Sequence, residues 1–156
     1  MSFPTRIAFD DARRILDDVA ARRRLPVEHV TLARAHGRVL AQPLAAMLPQ
    51  PGFDNSAMDG FAVRHADLDP DGETSLALVG EQFAGRTVDL TVGANECVRI
   101  TTGAPLPAGA DTIVIKENTR LEGDHVRVLQ TPKAGQHVRR AGEDVRLGAS
   151  VLQAGM

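Results

Sequence analysis

The loop Asp54-Asn55-Ser56-Ala57-Met58-Asp59-Gly60 sets two carboxylates, an amide and a hydroxyl within six residues. Such groups can hold a cation or orient hydroxyl and amine groups of a ligand. They also bond readily to their own backbone, and Asp-Gly is itself a turn signal. Phe53, Met58 and Phe61 would anchor the loop, and a pinned polar loop is where binding and catalytic groups concentrate. A second segment, Arg99-Ile100-Thr101-Thr102-Gly103-Ala104-Pro105-Leu106-Pro107, leaves a strand and enters a stretch stiffened by two prolines. Its hydroxyls beside Gly103 could join exposed backbone N–H groups in an anion-binding concavity. The plainer reading is a strand end followed by a bend. The third, Arg139-Arg140-Ala141-Gly142-Glu143-Asp144, joins two guanidinium forks suited to oxyanions with two carboxylates. It also reads as an exposed salt-linked turn of little energetic consequence.

Other chemistries find no support. His29, His36, His65, His125 and His137 show no metal-ligand spacing. Walker, GxGxxG and GxSxG motifs are missing from the sequence. The one cysteine, Cys97, opens the apolar run Val98-Arg99-Ile100 with no histidine near it, which suits a small buried hydrophobe better than a reactive thiol.

The elements that must carry these loops are mostly β. One helix is expected from about Asp10 to Arg24, where Ala12, Ile15, Leu16, Val19 and Ala20 follow the spacing of a single apolar face. Asp10 and Asp11 at its start and Arg22-Arg23-Arg24 at its end complement the helix dipole, and Pro26 stops it. Val27–Leu32 reads as a strand, Ala33–His36 as a turn of helix ended by Gly37, and Arg38–Ala41 as extended chain. Beyond Pro49, short runs bounded by Gly, Pro, Asp or Asn read as strands. They are Phe61–Val63, Leu76–Val79, Val98–Ile100, Thr112–Ile115 and Val126–Leu129. Ala149–Leu152 is a further strand, four residues before the sequence stops at Met156, as though a domain were interrupted.

Composition narrows the function. A formal net charge of -2 argues against a general nucleic-acid binder. Aromatic content is 3% with no Trp or Tyr, so the core is expected to be Val, Leu, Ile and Ala, with few stacking platforms. A single cysteine fits a reducing compartment. Without an apolar segment at Met1–Arg6 or a run of membrane-spanning length, a cytoplasmic protein is expected.

Together the three loops resemble a known family. Pro51-Gly52-Phe53-Asp54-Asn55-Ser56-Ala57-Met58-Asp59-Gly60-Phe61-Ala62-Val63-Arg64 is similar to the signature of MoeA and gephyrin proteins. Arg99 to Pro107, Gly109-Ala110-Asp111-Thr112-Ile113-Val114, Gly142-Glu143-Asp144 and the lead-in Gly37-Arg38-Val39-Leu40-Ala41 follow in that family's order and spacing. Phe61 stands where the family often has Tyr, and Ala141 where a third Arg can follow Arg140.

The resemblance implies a mostly β fold of bent, bifurcated sheets with one N-terminal helix. Residues 1–46 and 144–156 would form an elongated first domain and 47–143 an inserted β domain. A later α/β domain carrying the main pterin surface and a final β domain would be absent. It also implies insertion of molybdenum from molybdate into adenylylated molybdopterin, with release of AMP and dependence on Mg²⁺. In that family a homodimer shares its sites between subunits, so this chain would supply one wall. By resemblance Asp59, Thr102, Arg139 and Asp144 line that wall. Asp59 and Asp144 would hold Mg²⁺ or orient substrate, Thr102 with the Gly103 amide would suit an oxyanion, and Arg139 would offset phosphate charge. Asn55, Ser56 and Arg140 would support them. The other reading is a non-catalytic β module that recognises a partner or peptide.

Overall fold

The computed structural model describes residues 6–23, 25–85 and 88–156. It contains α1 (Phe9–Arg22) and ten strands: β1 (Leu44–Ala45), β2 (Asn55–Ser56), β3 (Gly60–Val63), β4 (Thr74–Gln82), β5 (Glu96–Ile100), β6 (Thr112–Ile115), β7 (Thr119–Glu122), β8 (His125–Val128), β9 (Val138–Arg139) and β10 (Ser150–Leu152). The fold is mostly β with a single α-helix among the described residues, as expected. They divide into two compact units, one up to Gln42 with Gln153–Met156, the other Pro43–Leu152.

In the first unit, α1 carries Asp10 and Asp11 in its first turn and Arg22 in its last, which matches the helix dipole. It ends at Arg22, and Arg24 lies outside the described residues. No residue of α1 is buried, and Leu16 and Val19 of its apolar face are exposed. The strand expected over Val27–Leu32 does not form. The chain there has no ladder partner among the described residues, and Leu32–Arg34 is a 3-10 turn instead. β-branched residues favour extended backbone, but a strand needs a neighbour to bond to. Arg38–Ala41 forms no strand and bends at Ala41, and Leu40 exchanges backbone hydrogen bonds of 2.8 Å with Met156 and Gly155.

The second unit is built on a six-stranded sheet in the order β6-β3-β5-β4-β8-β7. β6 and β7 are its two edges, yet only Lys116–Asn118 separates them in sequence. A flat sheet of this width would hold its edges roughly 24 Å apart, whereas the step from Ile115 to Thr119 spans at most about 14 Å. The sheet must therefore curl until its edges approach. Its inner face carries Phe61, Val63, Leu76, Cys97, Val114, Val126 and Val128 in one buried cluster. Alternation along the strands sends Ala62, Ile100 and Ile113 to the other face, where they pack with Ala104. The two clusters are aliphatic apart from Phe61 and Cys97, as the scarcity of aromatic residues leads one to expect.

Two short antiparallel ladders complete this unit: β1 with β10 and β2 with β9. In the second, Asn55 lies opposite Arg139 and Ser56 opposite Val138. That ladder ties the first of the three loops to the third.

Candidate functional site

The three loops singled out in the sequence are laced together. The Ser56 N–H donates to the Ala104 carbonyl at 3.0 Å and the Gly103 N–H donates to the Ser56 carbonyl at 2.8 Å. Gly103 adopts φ +81, a left-handed conformation that glycine takes without strain. It turns the second loop back onto the first. On the other side, the Ala57 N–H donates to His137 at 2.8 Å and the Gly142 N–H to Pro51 at 2.9 Å. Asn55 and Ser56 are buried. The Asn55 amide donates to the Phe53 carbonyl at 3.1 Å and the Ser56 hydroxyl to the Met58 carbonyl at 2.6 Å. Both side chains shape the loop from within.

Asp59 is exposed at the end of this loop. Its Oδ1 accepts the Thr102 N–H at 2.8 Å and the Thr102 hydroxyl at 2.9 Å. These bonds favour the carboxylate, and its pKa lies below the ordinary Asp value. The Thr102 N–H is the largest cause, followed by the hydroxyl, with smaller help from the charges of Lys116 and Arg99. Both Thr102 donors are thus spent on Asp59, and the Gly103 amide on Ser56. In this state the Thr102–Gly103 pair positions a carboxylate, with neither amide free for an oxyanion.

Arg139 and Asp144 form a second pair. Arg139 Nη2 donates to Asp144 Oδ2 at 2.5 Å and Nε to Glu143 Oε1 at 2.8 Å. Glu143 also accepts the Arg140 N–H at 2.8 Å. The Arg139 guanidinium, then that N–H, hold the Glu143 carboxyl below its usual range. Arg140 reaches across to Asp54 Oδ2 at 2.6 Å, while Ala141 donates its N–H to the other Asp54 oxygen at 2.8 Å. The Ala141 N–H, then Arg140, lower the Asp54 pKa. Each guanidinium is therefore already matched to a carboxylate.

The four principal residues thus meet as two pairs. A cavity of about 380 Å³ borders Asp59, with Phe61, Leu78, Glu81, Arg99 and Lys116 among its lining. A shallow depression of about 460 Å³ includes Glu143, Asp144 and Arg146. Neither of these is lined by members of both pairs. The described residues hold no group of three or more His, Cys, Asp and Glu able to cage a metal ion. Sequence reasoning assigned no role to Asp54, Glu143 or Lys116. Asp54 and Glu143 lie inside the signature segments, whereas Lys116 reaches Asp59 only because β6 pairs with β3.

Residues 7–156 match the sequence profile of the family described as MoeA N-terminal region (domain I and II). A molybdopterin molybdenumtransferase of Nostoc sp. is 42% identical over 130 residues, which cover 81% of this chain and 30% of that protein. Molybdopterin molybdenumtransferase 2 of Mycobacterium tuberculosis is 43% identical over 129 residues, covering 81% of this chain and 32% of its own. A crystal structure of the molybdopterin biosynthesis moeA protein from Pyrococcus horikoshii superposes with a TM-score of 0.77 at 33% identity, covering 81% of this chain and 34% of that one. The chain spans about a third of the length of these relatives.

Proposed function

The chain belongs to the MoeA N-terminal region family, and from that premise we propose that it is the N-terminal part of a molybdopterin molybdenumtransferase. The whole enzyme would insert molybdenum from molybdate into adenylylated molybdopterin and release AMP. The observation that carries this reading is the match over residues 7–156, supported by relatives bearing that name at about 40% identity. The lacing of the three signature loops into one polar surface is consistent with it. A homodimeric, cytoplasmic protein belongs to the same proposal, as does the division into 1–46 with 144–156 and an inserted 47–143.

In this reading Asp59 works as an ionised carboxylate whose direction is fixed by Thr102. Its second oxygen is available to orient a substrate hydroxyl or amine, or to bind a cation. Mg²⁺ keeps several waters and commonly takes only one or two carboxylates besides substrate phosphates. A lone Asp59, or Asp144 on the other pair, fits that modest demand, although the described residues hold no cage. When bound, Mg²⁺ would offset charge on phosphate oxygens. Arg139 would neutralise a substrate phosphate by exchanging Glu143 or Asp144 for it, and Arg140 with Asp54 would keep the loop in place meanwhile.

Because this chain spans a third of its relatives, the proposal assigns it one wall of a site and no turnover by itself. The test is AMP release from adenylylated molybdopterin with molybdate and Mg²⁺, using the 156-residue chain and a full-length protein that contains it. Turnover by the short chain would show that no second wall is needed. Failure of the full-length protein would remove the function itself.

A further inference from the structure

The inner face of the curled sheet ends beside Asp59 in the cavity of about 380 Å³. Its lining is divided. Phe61, Leu78 and Leu121 are apolar, while Asp59, Glu81, Arg99 and Lys116 bring charge to the same space. The four charges are not equivalent. Glu81 is engaged by Arg99 through one Nη1–Oε1 contact of 3.2 Å, which leaves the rest of that guanidinium fork uncommitted. Asp59 is satisfied by Thr102. Lys116 takes part in no ion pair among the described residues. Thr119 donates its hydroxyl to the Lys116 carbonyl at 2.8 Å, which steadies the turn carrying the ammonium. Thr101 accepts the Ala84 N–H at 3.1 Å, so its own hydroxyl proton remains to donate.

Lys116, Arg99 and Thr101 therefore bring an ammonium, part of a guanidinium and a hydroxyl proton to the border of a partly open cavity. We infer that this cavity is an oxyanion subsite, with Lys116 and Arg99 as its cationic donors and Thr101 as its hydroxyl donor. Asp59 and Glu81 both repel an anion, so the ligand sits against Lys116 and the part of the Arg99 guanidinium that Glu81 does not engage. The inference rests on the molybdenum-insertion reading, which supplies two ligands of this chemistry: free molybdate and a substrate phosphate.

The experiment titrates the isotope-labelled 156-residue chain with sodium molybdate and, separately, with inorganic phosphate, following the NMR resonances of Thr101, Lys116 and Leu121. Saturable shifts at these residues are expected with at least one ion, and the ion that produces them identifies the source. Lys116→Gln should weaken that binding about tenfold, the loss of one charged hydrogen-bond donor. Lys116→Arg should retain it, and Lys133→Gln, an exposed charge elsewhere, should leave it unchanged. Absence of shifts with both ions, or equal affinity in Lys116→Gln, overturns the subsite. The readout is binding to the short chain, so the subsite can fail while full-length AMP release persists, and the converse.

Discussion

Asp59 and Thr102 stand 43 residues apart, yet one carboxylate oxygen of Asp59 accepts both the N–H and the hydroxyl of Thr102. A single residue thereby fixes the direction of an exposed carboxylate and holds it ionised. The interaction also closes the loop before β3 onto the loop after β5, two strands paired from Gly60–Ile100 to Val63–Cys97.

Thr102→Val should remove the hydroxyl bond and keep the N–H bond. The N–H is the larger cause of the lowered Asp59 pKa, so the titration midpoint should rise by less than half of the full displacement. The sign follows from the depressed folded value. The link is fully present above the ordinary Asp pKa of about 4 and is lost as pH falls through the lower folded one. Carboxyl NMR titration of both proteins checks this, and an unchanged midpoint would count against the geometry.

Asp54 binds two groups of the third loop, the Ala141 N–H and the Arg140 guanidinium. Asp54→Ala should cost about 1 kcal/mol by denaturant unfolding at pH 7, since two partly exposed bonds are lost. Asp54→Asn keeps an acceptor for Ala141 and should cost less. Because the Asp54 pKa is lowered in the fold, its advantage over Asn is present above about pH 4 and vanishes below the folded pKa. Curves that stay parallel into acid would contradict this assignment.

Cys97 is fully buried between its neighbours on β5, and burial pushes its thiol pKa up to about 12. Only the thiolate is strongly nucleophilic. A thiol reagent at pH 8 should therefore leave the folded protein unlabelled and label one site after denaturation. Fast labelling without denaturant would mean that β5 opens locally.

Much of this fold was legible in local composition. Thr112–Ile115 and Val98–Ile100 are largely apolar runs between turn residues, and they form the edge strand β6 and part of the central strand β5. Thr119–Glu122 was not legible, because three of its four residues are polar and its strand character comes from pairing with β8. Val27–Leu32 misled for the converse reason: it has strand-forming residues and no partner. The site divides the same way. The loops could be read as loops, but the bonds that lace them, such as Gly103 N–H to the Ser56 carbonyl, are backbone bonds without a side-chain signature. The approach of Lys116 to Asp59 depends wholly on the register of Gly60 with Ile115.

Gly60 and Asp59 make the last prediction, because neighbours in sequence should fail in opposite ways. Asp-Gly reads as a turn, yet Gly60 is the first residue of β3, opposite Ile100 and Ile115 in adjacent strands. A Cβ at Gly60 would lie 2.0 Å from the Val114 carbonyl oxygen and 2.9 Å from the Ile115 Cα. Both are backbone atoms of β6, so relief requires that edge strand to move away. Gly60→Ala should then destabilise by about 3 kcal/mol, the upper range for overpacking, and lower the Tm by about 10 °C. Asp59→Ala touches an exposed carboxylate and should leave the Tm within about 2 °C. If the proposed role of Asp59 holds, the full-length protein carrying that change should lose AMP release by about 10- to 100-fold. Thermal melts of the two variants, beside the AMP assay, separate the cases. Equal melting losses would make Asp59 a structural residue, and undiminished AMP release would remove it from the site.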